Sequence, residues 1–184
     1  MQRKYLNIIL IFILYLIPCM NLYSKVEEYE LKAAFFERFA RFIDWPDSNA
    51  FNKQEYFTIQ VVGDNPFGNK LEHIYKHQLI KNKKVKIIYA VNVDNIKDCN
   101  ILFISHSVIT KIPQIFDKIK SQDILLVGDS KGICELGVHI NFYLYKSQLK
   151  FQINPKELKK DKFQVSHLLL YNSTIVNTKG GADE

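Results

Sequence analysis

Glycine and proline are scarce: the 184 residues hold seven of one and five of the other. No linker rich in Gly, Ser or Pro separates two halves, and there is no internal repeat or low-complexity run. Repeat arrays and tethered multidomain chains are thereby excluded, and one folding unit is expected. Phosphate loops are lacking too. No GxGxxG follows a first strand and no GxxxxGK[ST] occurs, so the backbone cradles of nucleotide-binding proteins are not expected. His73 and His77 in "HIYKH" are spaced for one helix face, but the glutamate that follows the first histidine in a zincin is replaced by Ile74 and no third ligand is evident. The Ser-His neighbours in "ISHS" (Ser105–Ser107) and "VSHL" (Ser166, His167) are adjacent in sequence, which does not bring a hydroxyl to an imidazole in triad geometry. Hence no catalytic residue, nucleophile elbow, metal or cofactor is read from the chain, and an enzyme is not expected.

Charge is present but dispersed, with 25 basic against 19 acidic side chains and a formal net charge of +6. The densest basic run, "KELKKDK", is interrupted by acids and fits a solvated helix face rather than a nucleic-acid patch. The N-terminus reads "MQRKYLNIILIFILYLIPCMNLYSKVEE": two basic residues, about a dozen apolar ones and then a polar run, the grammar of a secretory signal peptide. Cleavage is expected near Ser24, leaving a single domain over residues 25–178 and a tail at 179–184. Removal of residues 1–24 leaves 23 basic and 19 acidic side chains, a net +4. Asn7, Pro18, Cys19 and Asn21 interrupt the apolar stretch, which makes it poor material for a permanent span of about 20 apolar residues. Cys19 in "LIPC" faintly matches a lipid-attachment box, but Pro18 occupies a position that such boxes give to a small residue, so the lipoprotein reading ranks behind a periplasmic protein.

The segment "VEEYELKAAFFERFARFIDWP" predicts an amphipathic helix stopped by Trp45-Pro46. Tyr29, Ala33, Phe36, Ala40 and Ile43 form one apolar seam and Leu31, Phe35, Phe39 and Phe42 a neighbouring one, together an arc of about 200°. So wide an arc suits a helix packed on a sheet; the second seam is the alternative candidate for contact with a partner. Lys32 lies inside the arc and is accounted for only by snorkelling. Further on, "EYFTIQVVG" (Tyr56–Val62), "KVKIIYAV", "NILFIS" and "DILLVGD" predict strands, with helices between them from Pro66 to about Leu79, capped by Asn65 or Asp64, and from Val108 to Lys120. "VHINFYLY" and "LKFQIN" predict a hairpin, and "SHLLLYNSTIV" a last helix. This alternation implies an α/β fold, a three-layer α/β/α sandwich with a mostly parallel sheet and an antiparallel edge hairpin.

Two strands end on Gly-Asp, in "GDNPFG" and "GDSKG". In an open parallel sheet both turns lie at the carboxyl edge, where ligands bind. Asp64, Asn65, Asp129 and Ser130 are therefore candidate ligand-binding residues; the competing expectation is that the two aspartates only cap the segments that follow.

Read in order, "ELKAAFFERFARFIDWP", "VVGDNPFGNKL", "DCNILFIS", "ILLVGDSKG…LG", "INFYLYKSQLKFQIN" and "SHLLL" resemble the YfiR family of small exported bacterial proteins. The resemblance implies an α/β sandwich that can dimerise, and a periplasmic protein that restrains a membrane-bound diguanylate cyclase through the cyclase's periplasmic sensor domain. It departs from the family at "ELGVHINF", where Leu136-Gly137 stands in place of two adjacent glycines. The best-known members carry disulfides; here only Cys99 and Cys134 follow the signal segment, and each falls where the family pairs a cysteine with a partner that this chain lacks. An even count in an oxidising compartment suggests a Cys99–Cys134 bridge, whereas the expected separation of one strand length suggests two reduced, buried thiols. The expected function is that of an exported, non-catalytic regulator. The competing expectation is a periplasmic small-molecule binding protein serving a transporter or sensor kinase.

Overall fold

Two runs that are apolar at every position, "ILFI" and "LLVG", become the centre of the sheet because helices cover both of its faces. The computed structural model describes residues 27–46, 54–120 and 122–177. The elements are α1 (27–42), β1 (Ile43–Asp44), β2 (Tyr56–Val62), α2 (Lys70–Tyr75), β3 (Lys84–Ala90), β4 (Ile101–Ile104), α3 (Ile112–Lys118), β5 (Leu125–Gly128), β6 (Ile140–Tyr145), β7 (Gln148–Ile153), α4 (Pro155–Lys160), β8 (Gln164–Val165), α5 (His167–Tyr171) and β9 (Thr174–Ile175). Seven strands form one sheet in the order β3-β2-β4-β5-β6-β7-β9, while β1 and β8 make a separate antiparallel pair. Strands β3, β2, β4, β5 and β6 are mutually parallel, β6 and β7 are antiparallel, and β9 is parallel to β7. The expected α/β fold with a mostly parallel sheet is present.

Strand alternation divides the core in two. Ile101, Phe103, Leu125 and Val127 face one layer, which holds α1, α2 and Leu158 of α4. Leu102, Ile104 and Leu126 face the other, packed on Val93, Ile96, Ile112 and Ile115. On the first face α1 contributes Ala33, Phe36, Phe39 and Ala40, all fully buried. Phe36 lies between Phe67, Phe103 and Phe142, with ring centroids 5.7, 6.1 and 6.4 Å away. Phe39 meets Phe142 and Phe151, both at 5.4 Å. The Tyr75 hydroxyl of α2 donates to the Ala33 carbonyl (2.7 Å) and accepts from the Glu37 N–H (3.1 Å), so a buried phenol occupies both ends of one rung of the α1 ladder. Burial raises its pKa.

Buried polar groups elsewhere are satisfied by fixed partners. Gln60 accepts from the Lys97 N–H and donates to the Asn95 carbonyl, clamping the crossover into β4. His139 accepts the Leu126 N–H at Nδ1 (3.1 Å), which leaves Nε2 to carry the proton that it shares with Asp161 (3.0 Å). That bond lowers the Asp161 pKa. Asn154 caps α4 by accepting the Glu157 N–H and donates to the Cys134 carbonyl.

Several expectations are corrected. The helix expected from Pro66 begins only at Lys70, because Asn65 accepts the Phe67 N–H (2.9 Å) and donates to the Gly68 carbonyl (2.8 Å), and Gly68 lies at φ +58°. Asn65 therefore closes a local turn and caps nothing. That helix ends at Tyr75, so His77 does not share a helix face with His73. The last helix stops at Tyr171, and Thr174–Ile175 pair with β7 instead, in keeping with their β-branched side chains. The hairpin is consequently one strand in from the sheet edge. Lys146 and Ser147 both have positive φ (49° and 60°), as a two-residue hairpin turn of type I′ requires. The Cys99–Cys134 bridge is not made: both thiols are free and buried. Cys99 precedes β4 and Cys134 follows β5, its parallel neighbour, which puts them at opposite ends of the sheet. Burial raises the Cys99 pKa and pushes that of Cys134 up to about 12. The expected signal peptide, Cys19 and the C-terminal tail lie outside the described residues.

The burial pattern predicts that Phe36→Ala lowers unfolding stability by about 3–5 kcal/mol in urea titration, whereas Leu31→Ala, at a position 48% exposed, changes it by less than about 0.5 kcal/mol. Equal losses at the two positions would contradict the seating of α1 described here.

Candidate functional site

The chain passes from β2 to β3 on one side and then to β4 on the other, so the topological switch point lies between β2 and β4. At its carboxyl edge stand the Gly63-Asp64 turn after β2, Ser105-His106-Ser107 after β4, and Asp129-Ser130 after β5. The sequence-predicted residues are thus brought to one edge, with the β4 loop between the two aspartates. The crevice is occupied by the chain itself. Gly63 adopts φ +92°, and a Cβ there would come within 2.6 Å of Ser107 Oγ. Ser107 Oγ in turn accepts the Asp64 N–H (2.8 Å), a donor that an anion bound at this turn would otherwise meet. Asp64 and Asn65 are exposed.

Asp129 has a different role from Asp64 and from the cap expected of it. Its carboxylate accepts from the Tyr29 hydroxyl (2.8 Å) and from Lys32 Nζ (2.8 Å), both on α1. The Lys32 and Asp129 side chains are only 3% and 6% exposed. Glu28, one turn earlier on α1, closes over the same ammonium, and that ammonium lies 4.1 Å from the Tyr29 ring centroid. Burial, followed by the Asp129 charge, raises the Tyr29 pKa and keeps the phenol as a donor. Lys32 therefore does not snorkel; it is the inward half of an ion pair that fastens the first turns of α1 to the end of β5.

The sequence reading also missed a nucleophile pattern. Gly128-Asp129-Ser130-Lys131-Gly132 satisfies G-x-S-x-G, and Ser130 Oγ lies 3.0 Å from His106 Nδ1. The pattern was legible in "GDSKG", but the pairing needed the β4–β5 adjacency. The local geometry is not that of a nucleophile elbow. An elbow holds its serine in a strained backbone and presents the hydroxyl at the surface; Ser130 is absent from the residues of positive φ and is 2% exposed. The bond instead ties the β4 loop to the β5 turn. Among the described residues, no three His, Cys, Asp or Glu side chains are grouped to hold a metal.

The candidate partner seam divides. Phe39 is wholly in the core, which corrects its assignment as a contact residue, and Leu31 is exposed. Phe35 and Phe42 are half-buried and line a trough of about 360 Å³ between α1 and α5, with Leu149 and Phe151 of β7 and Leu168 and Leu169 of α5.

A family model described as YfiR/HmsC-like matches residues 29–173, nearly the whole described domain. The chain belongs to the YfiR/HmsC-like family. This family is known for periplasmic regulation of diguanylate cyclases, not for catalysis. No curated protein matches the sequence. Among solved structures, the ABC domain in complex with L-Trp from Streptococcus pneumoniae is similar at a TM-score of 0.51 and 9% identity, over 65% of this chain and 55% of that one. At that identity the likeness concerns the fold alone, and this chain spans just over half of that protein's length. Among the described residues, no helix is long and apolar enough to cross a membrane.

Replacing Lys32 with Met strands a buried carboxylate and should cost about 3–5 kcal/mol in urea unfolding, while Lys32→Met combined with Asp129→Leu should recover most of that loss. Additive losses in the double variant would show that the two groups are not coupled.

Proposed function

We infer that this chain is an exported regulator that binds the periplasmic sensor domain of a membrane-bound signalling protein of the diguanylate cyclase type and restrains it without chemistry of its own. The observation that carries this reading is the family match over residues 29–173. The site agrees with it. The Asp129 carboxylate is consumed in fastening α1, and the serine with an imidazole beside it is buried. A chain outside the inner membrane has no access to a cytoplasmic cyclase domain. It can act only by binding two states of the sensor domain with unequal affinity, and that difference caps its effect.

The small-molecule reading rests on the carboxyl-edge crevice, which Gly63, Ser105 and Ser107 close from within. Isothermal titration of the purified exported chain into the periplasmic sensor domain of a membrane-bound diguanylate cyclase of its own cell should give saturable binding at a stoichiometry of one chain per domain. A thermal shift with amino acids and other small metabolites of more than a few degrees, combined with no binding to that domain, would favour the small-molecule reading instead.

A further inference from the structure

The trough between α1 and α5 combines three features. Six of its nine lining residues are large apolar side chains: Phe35, Phe42, Leu149, Phe151, Leu168 and Leu169. Its only charged members are Arg38 and Lys150, both exposed, and no carboxylate lines it. Its floor strand is incompletely paired: β6 covers one side of β7, but on the other β9 is registered with Gln152 and Ile153 alone, so among the described residues no strand lies beside Gln148–Phe151 on the side away from β6. The Val176 N–H donates to the Ile153 carbonyl, which fixes the side of β7 that faces away from β6. By strand alternation the backbone groups of Phe151 and Leu149 face that side as well.

Resting on the regulatory reading above, we propose that this trough is where the partner docks, and that the docking element is an extended segment of the periplasmic domain in which apolar side chains alternate with carboxylates. A strand added beside Gln148–Phe151 obtains main-chain hydrogen bonds from Leu149 and Phe151. Its side chains alternate between faces. One set lies against Leu149, Phe151 and the trough walls. The other lies on the face to which Lys150 belongs, since Lys150 is one residue out of step with its apolar neighbours on β7. Arg38, stacked 5.5 Å from the Phe35 ring centroid, supplies the second positive charge at the rim. An acidic segment is favoured at both places, and a basic one is repelled.

The test is binding of the purified exported chain to the purified periplasmic sensor domain of a membrane-bound diguanylate cyclase of its own cell, each such domain being tried in turn. It compares wild type with Arg38→Glu/Lys150→Glu, with Leu168→Glu, and with Lys86→Glu on the far sheet edge. Leu168 is 56% exposed and the charged positions are exposed, so circular dichroism should show every variant folded. The charge reversal and Leu168→Glu should each weaken binding about tenfold or more, and Lys86→Glu should leave it unchanged. On complex formation, amide exchange at Leu149 and Phe151 should slow by about tenfold or more. Wild-type affinity in the trough variants, or unchanged exchange at those amides, overturns this proposal and leaves the regulatory reading standing. A wild-type chain that binds none of these domains overturns the regulatory reading and the trough proposal with it. Flotation with phosphatidylglycerol-containing vesicles that depends on Arg38 and Lys150 would make a lipid surface the occupant, and would equally overturn the proposal.

Discussion

The seating of α1 on the sheet is the constraint on which the remainder of this structure depends. Phe36 and Phe39 enter a layer formed by Phe67, Phe103, Phe142 and Phe151, residues drawn from the segment before α2 and from β4, β6 and β7. One helix thus joins strands that are far apart in sequence. Apolar packing alone permits a helix to slide or rotate, and two polar contacts restrict it. Tyr75 engages both ends of the 33–37 rung, and Lys32 meets Asp129 where β5 ends. Buried ion pairs of this kind add little net stability, because desolvation offsets most of the attraction. Their energetic asymmetry nevertheless penalises any register in which one partner is left alone.

The same constraint accounts for what could be read from the sequence. Strand β2 was legible to the residue, and the apolar runs of β4 and β5 announced a parallel centre, because local pattern and burial agree there. The breadth of the α1 arc was legible as well, since a helix so apolar needs a sheet beneath it. The role of Lys32 was not, because its partner lies 97 residues away and no spacing rule connects them. His106 and Ser130 met for the same kind of reason, through strand adjacency. The start of α2 was misplaced because Asn65 and Pro66 look like a cap and first turn, while in three dimensions Asn65 bonds only its own loop. In "SHLLLYNSTIV", helical periodicity concealed the β-branched end that became β9.

These features bear on function through what they leave exposed. With Phe39 in the core and Phe35 and Phe42 half-buried, the face that α1 presents to solvent is mostly polar or small, formed by Glu27, Glu30, Leu31, Ala34, Arg38 and Arg41. The carboxyl edge of the sheet, where open α/β folds bind ligands, is stitched together by its own hydroxyls and charges. Elsewhere on the molecule an apolar trough runs beside an incompletely paired strand, a combination suited to holding another protein in one of its states.

The central claim is that this chain restrains a cyclase from outside the inner membrane, and cellular cyclic-di-GMP tests it most directly. Deleting the chain from its own cell should raise the nucleotide severalfold, and supplying the exported wild-type chain should return it to the starting level. An unchanged or lowered level on deletion, with the cell's membrane-bound diguanylate cyclases expressed, would contradict the account.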